Sequence, residues 1–140
     1  MNKTPRGIRN CNPGNIRHGD NWDGLHPYST ELDPSFCVFI SPQYGIRALC
    51  KILRNYNKLY GLNTIQGIIN RYAPPSENDT SSYAKHVAEK LGVKPTEPVD
   101  VLHPDVMYLL LTAIILHENG IQPYSYDTLQ EGMKMAGVCK

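Results

Sequence analysis

The chain has no apolar run long enough to cross a membrane, no block of like charge, no low-complexity tract and no internal repeat. With 19% charged residues and a net charge of +1 over 140 residues, this argues against disorder. It also argues against a nucleic-acid binder that relies on a strong basic field, so no nucleic-acid partner is expected. Met1 to Asn10 is polar and basic with no apolar segment behind it. Neither a Sec-type signal peptide nor a membrane anchor is therefore expected, and synthesis in a cytoplasm is. Cys11, Cys37, Cys50 and Cys139 form no Cys-x-x-Cys pair, which argues against a metal ribbon or redox motif. Without an export signal, free thiols are the default. One or two disulfides stay open if the protein acts outside the cytoplasm.

Several catalytic signatures are missing too. There is no Gly-x-Ser-x-Gly elbow, no Gly-rich phosphate loop and no cysteine in an activating context. His18, Asp20, Asp23 and His26 fall within nine residues. The fragment DNWDG nevertheless misses the calcium-loop pattern, and His117 with Glu118 has no second histidine four residues on. No metal and no cofactor is expected.

What is present is one domain, residues 1–140, with a real core and mainly helical patterning. Met1 to Pro34 is rich in Asn, Gly, Pro and Asp and reads as loop or short strand. Ser35 to Ile40 (SFCVFI) carries the one strand signal, pairing with Asn15 to His18 in a small hairpin. Helical faces follow. Ser41 and Pro42 open a helix with Leu49, Ile52, Leu53, Tyr56 and Leu59 or Tyr60 on one side, stopped by Gly61. Thr64 caps a shorter one with Ile65, Ile68, Ile69 and Tyr72, ended by Pro74 and Pro75. Asp79 or Thr80 starts a third, with Tyr83, Ala84, Val87, Ala88 and Leu91 before Gly92. Asp127 with Gln130 gives a capping-box pattern for a last helix after a Pro-Tyr turn at Tyr124. About five helices are expected in all, four of them surrounding a central buried one.

That central helix is the stretch Met107 to Gly120, MYLLLTAIILHENG. Its fourteen residues hold no proline, and no charge before His117. Pro104 suits the first turn and Gly120 the left-handed stop. Glu118 falls in the last turn, where the negative helix end and the apolar body both disfavour ionisation. A carboxyl kept protonated near neutral pH is a candidate general acid; a solvated residue at a frayed end is the plainer reading. The loop Arg71 to Tyr83, RYAPPSENDTSSY, is stiffened by two prolines, with Glu77, Asn78, Asp79 and Thr80 crowding a helix start. Capping explains most of these polar residues. Tyr72 and Tyr83 on either side suit an aromatic wall for a sugar ring or plain helix packing. Arg6, Arg9 and Arg17 are open to a phosphate or anionic polymer, to carboxylate pairing, or to solvent.

The segment RGIRNCNPGNIR, followed by Trp22-Asp23-Gly24, resembles the opening of phage and prophage virion-associated, lysozyme-like proteins that begin R-G-I-R-N-x-N-P-G-N-I-R. The likeness runs on through Tyr44-Gly45-Ile46-Arg47-Ala48-Leu49 and YAPPSENDTSSY to His117-Glu118-Asn119-Gly120. A more distant likeness is to glucosaminidases and lytic transglycosylases. There a hydrophobic helix ending in a glutamate comes first, then an Asn-containing strand with Trp-x-Gly, then a Y-A-x-x-x-x-Y segment. Here the glutamate helix comes last, so the resemblance implies a circularly permuted, lysozyme-like α+β domain.

It also implies a peptidoglycan substrate, cleaved as by a muramidase or lytic transglycosylase with Glu118 as acid. Glu77, then Glu31, is the choice for a second carboxylate, and Tyr72 or Asn78 for steadying charge. Asn15, Trp22, Asn78, Thr80, Tyr83 and Tyr124 are the expected substrate contacts. The expected place of action is the bacterial wall or a virion, with a phage particle or secretion apparatus as a further partner and no membrane. A non-catalytic virion structural or wall-binding module is the competing expectation. A nucleic-acid-associated phage protein using the basic N-terminus is a weaker third.

Overall fold

A computed structural model describes residues 4–139. Seven helices account for most of the described chain, which is mainly α. Five form where a capping residue precedes an apolar face. In α3 (Pro42–Tyr60) the extended Ser41 leads into a proline at the first position, and Gly61 closes the helix at φ 67°. Helix α4 (Ile65–Tyr72) is capped by Thr64, whose side chain accepts from the Gly67 N–H. Of the two alternatives for α5 (Thr80–Leu91) the cap is Asp79, accepting from the Ser82 N–H. Helix α6 (Pro104–Asn119) begins at the anticipated proline and stops at Gly120, φ 74°. The last helix, α7 (Tyr126–Met135), is capped by Ser125 and not by Asp127. The Ser125 hydroxyl accepts from the Thr128 N–H, which moves the start two residues earlier and leaves Asp127 in the first turn.

Two four-residue helices, α1 (Arg6–Arg9) and α2 (Ser29–Leu32), lie in the stretch expected to be loop or strand. They are too short to show a periodicity.

Helix α6 is the hub. It packs against α1, α3, α5 and α7, while α4 packs mainly against α5. Met107, Leu110, Leu111, Ile114 and Ile115 have no exposed surface, yet Leu109 is 40% exposed, so α6 is covered on most sides and open on one. The approach of α7 to α3 depends on Gly132, where a Cβ would lie 2.5 Å from Ile46 Cγ2. Cys37 and Cys50 are buried among these apolar side chains, and all four thiols are free. No helix among the described residues is long and apolar enough to cross a membrane.

The expected β-hairpin is not formed. Ser35 to Ile40 makes only isolated antiparallel bridges, Arg17 with Phe36 and Leu25 with Phe39. The reason is Asn12, which is fully buried. Its side chain accepts from the Ile16 N–H (3.0 Å) and donates to the carbonyls of Ile16 and Cys37 (both 2.9 Å). An amide thus stands in the ladder where strand backbone would continue, and the segment pairs in pieces. The same segment is pinned to α3, because a Cβ on Gly45 would lie 1.9 Å from the Cys11 carbonyl oxygen.

A second buried polar centre fixes α1. Asp33 is 5% exposed and accepts from Arg6 Nε (2.7 Å) and Nη2 (2.6 Å), from Asn10 Nδ2 (2.8 Å), and from the backbone N–H groups of Ser35 and Phe36. Of the arginines considered in sequence, Arg6 is therefore committed to carboxylate pairing. The Arg6 guanidinium above all holds the Asp33 carboxyl well below the usual carboxylate range. A folded-state value below the unfolded one means full stabilisation above about pH 4, lost as acid protonates the unfolded chain first. Asp33→Asn should therefore melt at lower temperature than wild type at pH 7, with the gap narrowing steadily below about pH 4. Thermal melts across that range would show it, and a gap independent of pH would contradict it.

Candidate functional site

The C-terminal turn of α6 meets the N-terminal segment and the first half of α5, and Glu118 lies where they join. Asn15 Nδ2 donates to Glu118 Oε1 at 3.0 Å, and the Tyr83 hydroxyl donates to Oε2 at 2.8 Å. Each carboxyl oxygen therefore has one donor, from residues 103 and 35 positions away. Asn15 reaches it from a left-handed backbone conformation, φ 52°, which asparagine tolerates better than most residues. The next residue, Asn119, anchors the same junction by donating to the Pro13 carbonyl at 2.8 Å. The plainer expectation, a solvated carboxyl at a frayed end, does not match: Glu118 is half-buried and held at both oxygens.

Beside this carboxyl runs a groove of about 670 Å³. Its lining includes Asn15, Tyr72, Glu77, Asn78 and Glu118, five residues expected to form a site. Tyr72 is tied down by donating its hydroxyl to the Gly14 carbonyl. Its phenol is pushed well above the ordinary value, by burial first and then by the neighbouring carboxylate of Glu118. Tyr83 is shifted the same way by burial, by Glu118, by Tyr72 and by the hydrogen bond it donates. Both phenols thus stay protonated and act as donors. Glu77 and Asn78 are exposed on the Pro74–Pro75 loop, whose turn is closed by the Glu77 N–H and Asn78 Nδ2, both bonded to the Pro74 carbonyl.

The remaining expected contacts lie elsewhere. Tyr83 is 1% exposed and sits beneath Glu118, so it offers no sugar-stacking face. Its ring stacks instead on His117, with centroids 3.7 Å apart. Thr80 is buried and donates to the Ala73 carbonyl at 2.6 Å, fastening the loop. Trp22 and Tyr124 pack against the core, and neither lines the groove. The Trp22 indole nitrogen and the Tyr124 hydroxyl are enclosed without a hydrogen-bond partner, and burial pushes the Tyr124 phenol up to about 12. Glu31 is exposed on α2 and also off the groove.

Of the four clustered residues weighed as metal ligands, Asp23 pairs with Arg47 and His18 bonds to the Asp33 carbonyl. Among the described residues no three His, Cys, Asp or Glu side chains converge on a common point. The lining also includes Arg17, weighed in sequence only as a partner for an anion or a carboxylate, and Phe36, Tyr56 and Arg71, which had not been expected as contacts. Tyr56 reads in sequence as core, because its spacing on α3 is the same as that of Leu49 and Leu53.

Fold and site together define a small, mainly helical groove protein with one doubly held glutamate at the tip of its hub helix. No family model matches the chain. It is 42% identical over 139 residues to protein P5 of Pseudoalteromonas phage PM2, a match covering 96% of this chain and 83% of that protein. The chain belongs to the family of this phage protein.

Proposed function

We propose that the protein takes the glycan strand of peptidoglycan into the groove beside Glu118 and cleaves it, as a muramidase or lytic transglycosylase on a permuted lysozyme-like fold. The observation that carries this reading is the placement of Glu118 on a polar groove with each oxygen held by a donor. Such a carboxyl is oriented in advance, which is what proton transfer to a leaving group requires. In its acid form it gives its proton to the glycosidic oxygen as the C–O bond breaks, leaving an oxocarbenium-like sugar. In a hydrolase a second carboxylate then activates water, and Glu77, exposed on the same groove, is the choice for it. In a transglycosylase the sugar's own hydroxyl attacks, and Glu118 takes its proton. Asn78 is the groove amide available to steady charge.

Kinship with a phage protein supports a second reading better than it supports cleavage. In that reading the protein is a non-catalytic virion structural or wall-binding module, which keeps the groove without the chemistry. A wall-cleaving or wall-binding protein reaches the wall from lysis, from a particle or through a secretion apparatus, and neither role calls for a cofactor or nucleic acid.

The test is purified wild-type protein on peptidoglycan, with mass analysis of what is released. Cleavage predicts soluble muropeptides, and an anhydro end differs from a reducing end by one water. Sedimentation with the wall but no release by folded protein would favour the module.

A further inference from the structure

Two guanidinium groups on the groove make no ion pair or hydrogen bond among the described residues. Arg17 comes from the N-terminal segment and Arg71 from α4, and both are exposed. Their neighbours are aromatic rings. Arg17 lies over Phe36 with its guanidinium carbon 4.9 Å from the ring centroid. Arg71 lies over Tyr60 at 3.8 Å and reaches Tyr56 at 5.4 Å. Arg6, which also covers Phe36, is already committed to Asp33, and Arg47 to Asp23. A ring fixes the direction of a long side chain without consuming its in-plane N–H donors. These donors form a fork that matches a carboxylate. The two acids on the groove, Glu77 and Glu118, make no ion pair with them.

We infer that Arg17 and Arg71 bind carboxylate groups, so that the groove selects a glycan bearing carboxylates over a neutral glycan of similar backbone. This rests on the proposal that a glycan occupies the groove, and does not require that it be cut. Peptidoglycan offers such groups on its stem peptides and, wherever a peptide has been removed, on the lactyl ether of muramic acid. The chemistry at the guanidinium is the same for both.

The experiment uses the full chain carrying Glu118→Gln, so that no probe is consumed. Co-sedimentation is measured with three insoluble probes: intact sacculi, glycan strands stripped of peptide by an amidase, and chitin. Retention by sacculi that falls about tenfold with Arg17→Gln and with Arg71→Gln, and that weakens as salt is raised, is the expected result. Retention by chitin should be weak and indifferent to both substitutions. Both arginines are exposed, and unchanged melting temperatures confirm that the fold persists in the variants.

Should stripped strands keep the arginine dependence, the lactyl carboxylate freed by the amidase is a ligand in its own right; should only sacculi show it, the stem peptide supplies the ligand. Either outcome supports the inference. Equal retention by chitin and sacculi, or retention by sacculi that ignores both substitutions, overturns it. The cleavage proposal fails separately, by wild type releasing no fragments while arginine-dependent retention persists. Absence of retention by every probe overturns the inference and the glycan groove together.

Discussion

On the proposed cleavage, Glu118→Gln is expected to lower the rate of wall clearing by about 10²–10⁴-fold, the usual loss when a positioned general acid is removed, and to leave the melting temperature nearly unchanged. The substitution is chosen to keep the shape of the site. A glutamine carbonyl can still accept from Asn15 Nδ2, which is 3.0 Å from Oε1. The Tyr83 hydroxyl, 2.8 Å from Oε2, can reverse from donor to acceptor toward the new amide, because a hydroxyl serves as both. What disappears is the transferable proton. Matched rates of muropeptide release and matched thermal melts for the two proteins provide the comparison. Undiminished release by the variant would remove Glu118 from the chemistry.

The largest effect on stability is expected at Asn12. Replacement by alanine removes three hydrogen bonds made inside a fully buried site. The Ile16 carbonyl keeps a second partner, the Cys37 N–H at 2.9 Å. The Ile16 N–H and the Cys37 carbonyl lose the bonds that Asn12 supplied. Each orphaned buried backbone group costs about 1–3 kcal/mol, so the variant should lose about 2–6 kcal/mol, read from urea unfolding. Asn15 lies three residues away and orients Glu118, so clearing should weaken as well. A loss below about 1 kcal/mol would mean that water replaces the amide, and that Asn12 does not organise this segment.

The long helices were legible because each carries its own start, face and stop. Ser41 with Pro42, Thr64, Pro104 and Gly120 act through backbone geometry within one or two turns, and a linear reading sees that range. The last helix shows the limit of such signals. Ser125 and Asp127 both precede the face of α7, and only the path of the preceding turn selects the serine. The hairpin failed for a different reason. Ser35 to Ile40 has the composition of a strand, but its pairing depends on a partner, and Asn12 occupies part of that partner's place. No local rule announces that an asparagine will be buried.

The candidate site divides along the same line. Glu118 stood out because an apolar helix that ends abruptly in a carboxyl is unusual by itself. Tyr72, Glu77 and Asn78 were legible as neighbours on one stiff loop. Trp22, Thr80 and Tyr124 have residue types as suitable for binding sugar as those on the groove, yet they face the interior or another surface. Residue type sets what a side chain can bind, and packing sets whether anything can reach it.

The sequence by itself determined the mainly helical class, the termini of the hub helix and the position of its terminal glutamate, since all three follow from interactions between residues close along the chain. Only the tertiary structure decided that Asn15 and Tyr83 hold that glutamate, and that Arg17 and Arg71 share its groove. Those contacts join segments distant in the chain. They exist because burial of α6 draws the N-terminal segment, the α4–α5 loop and α5 to one end of the same apolar core.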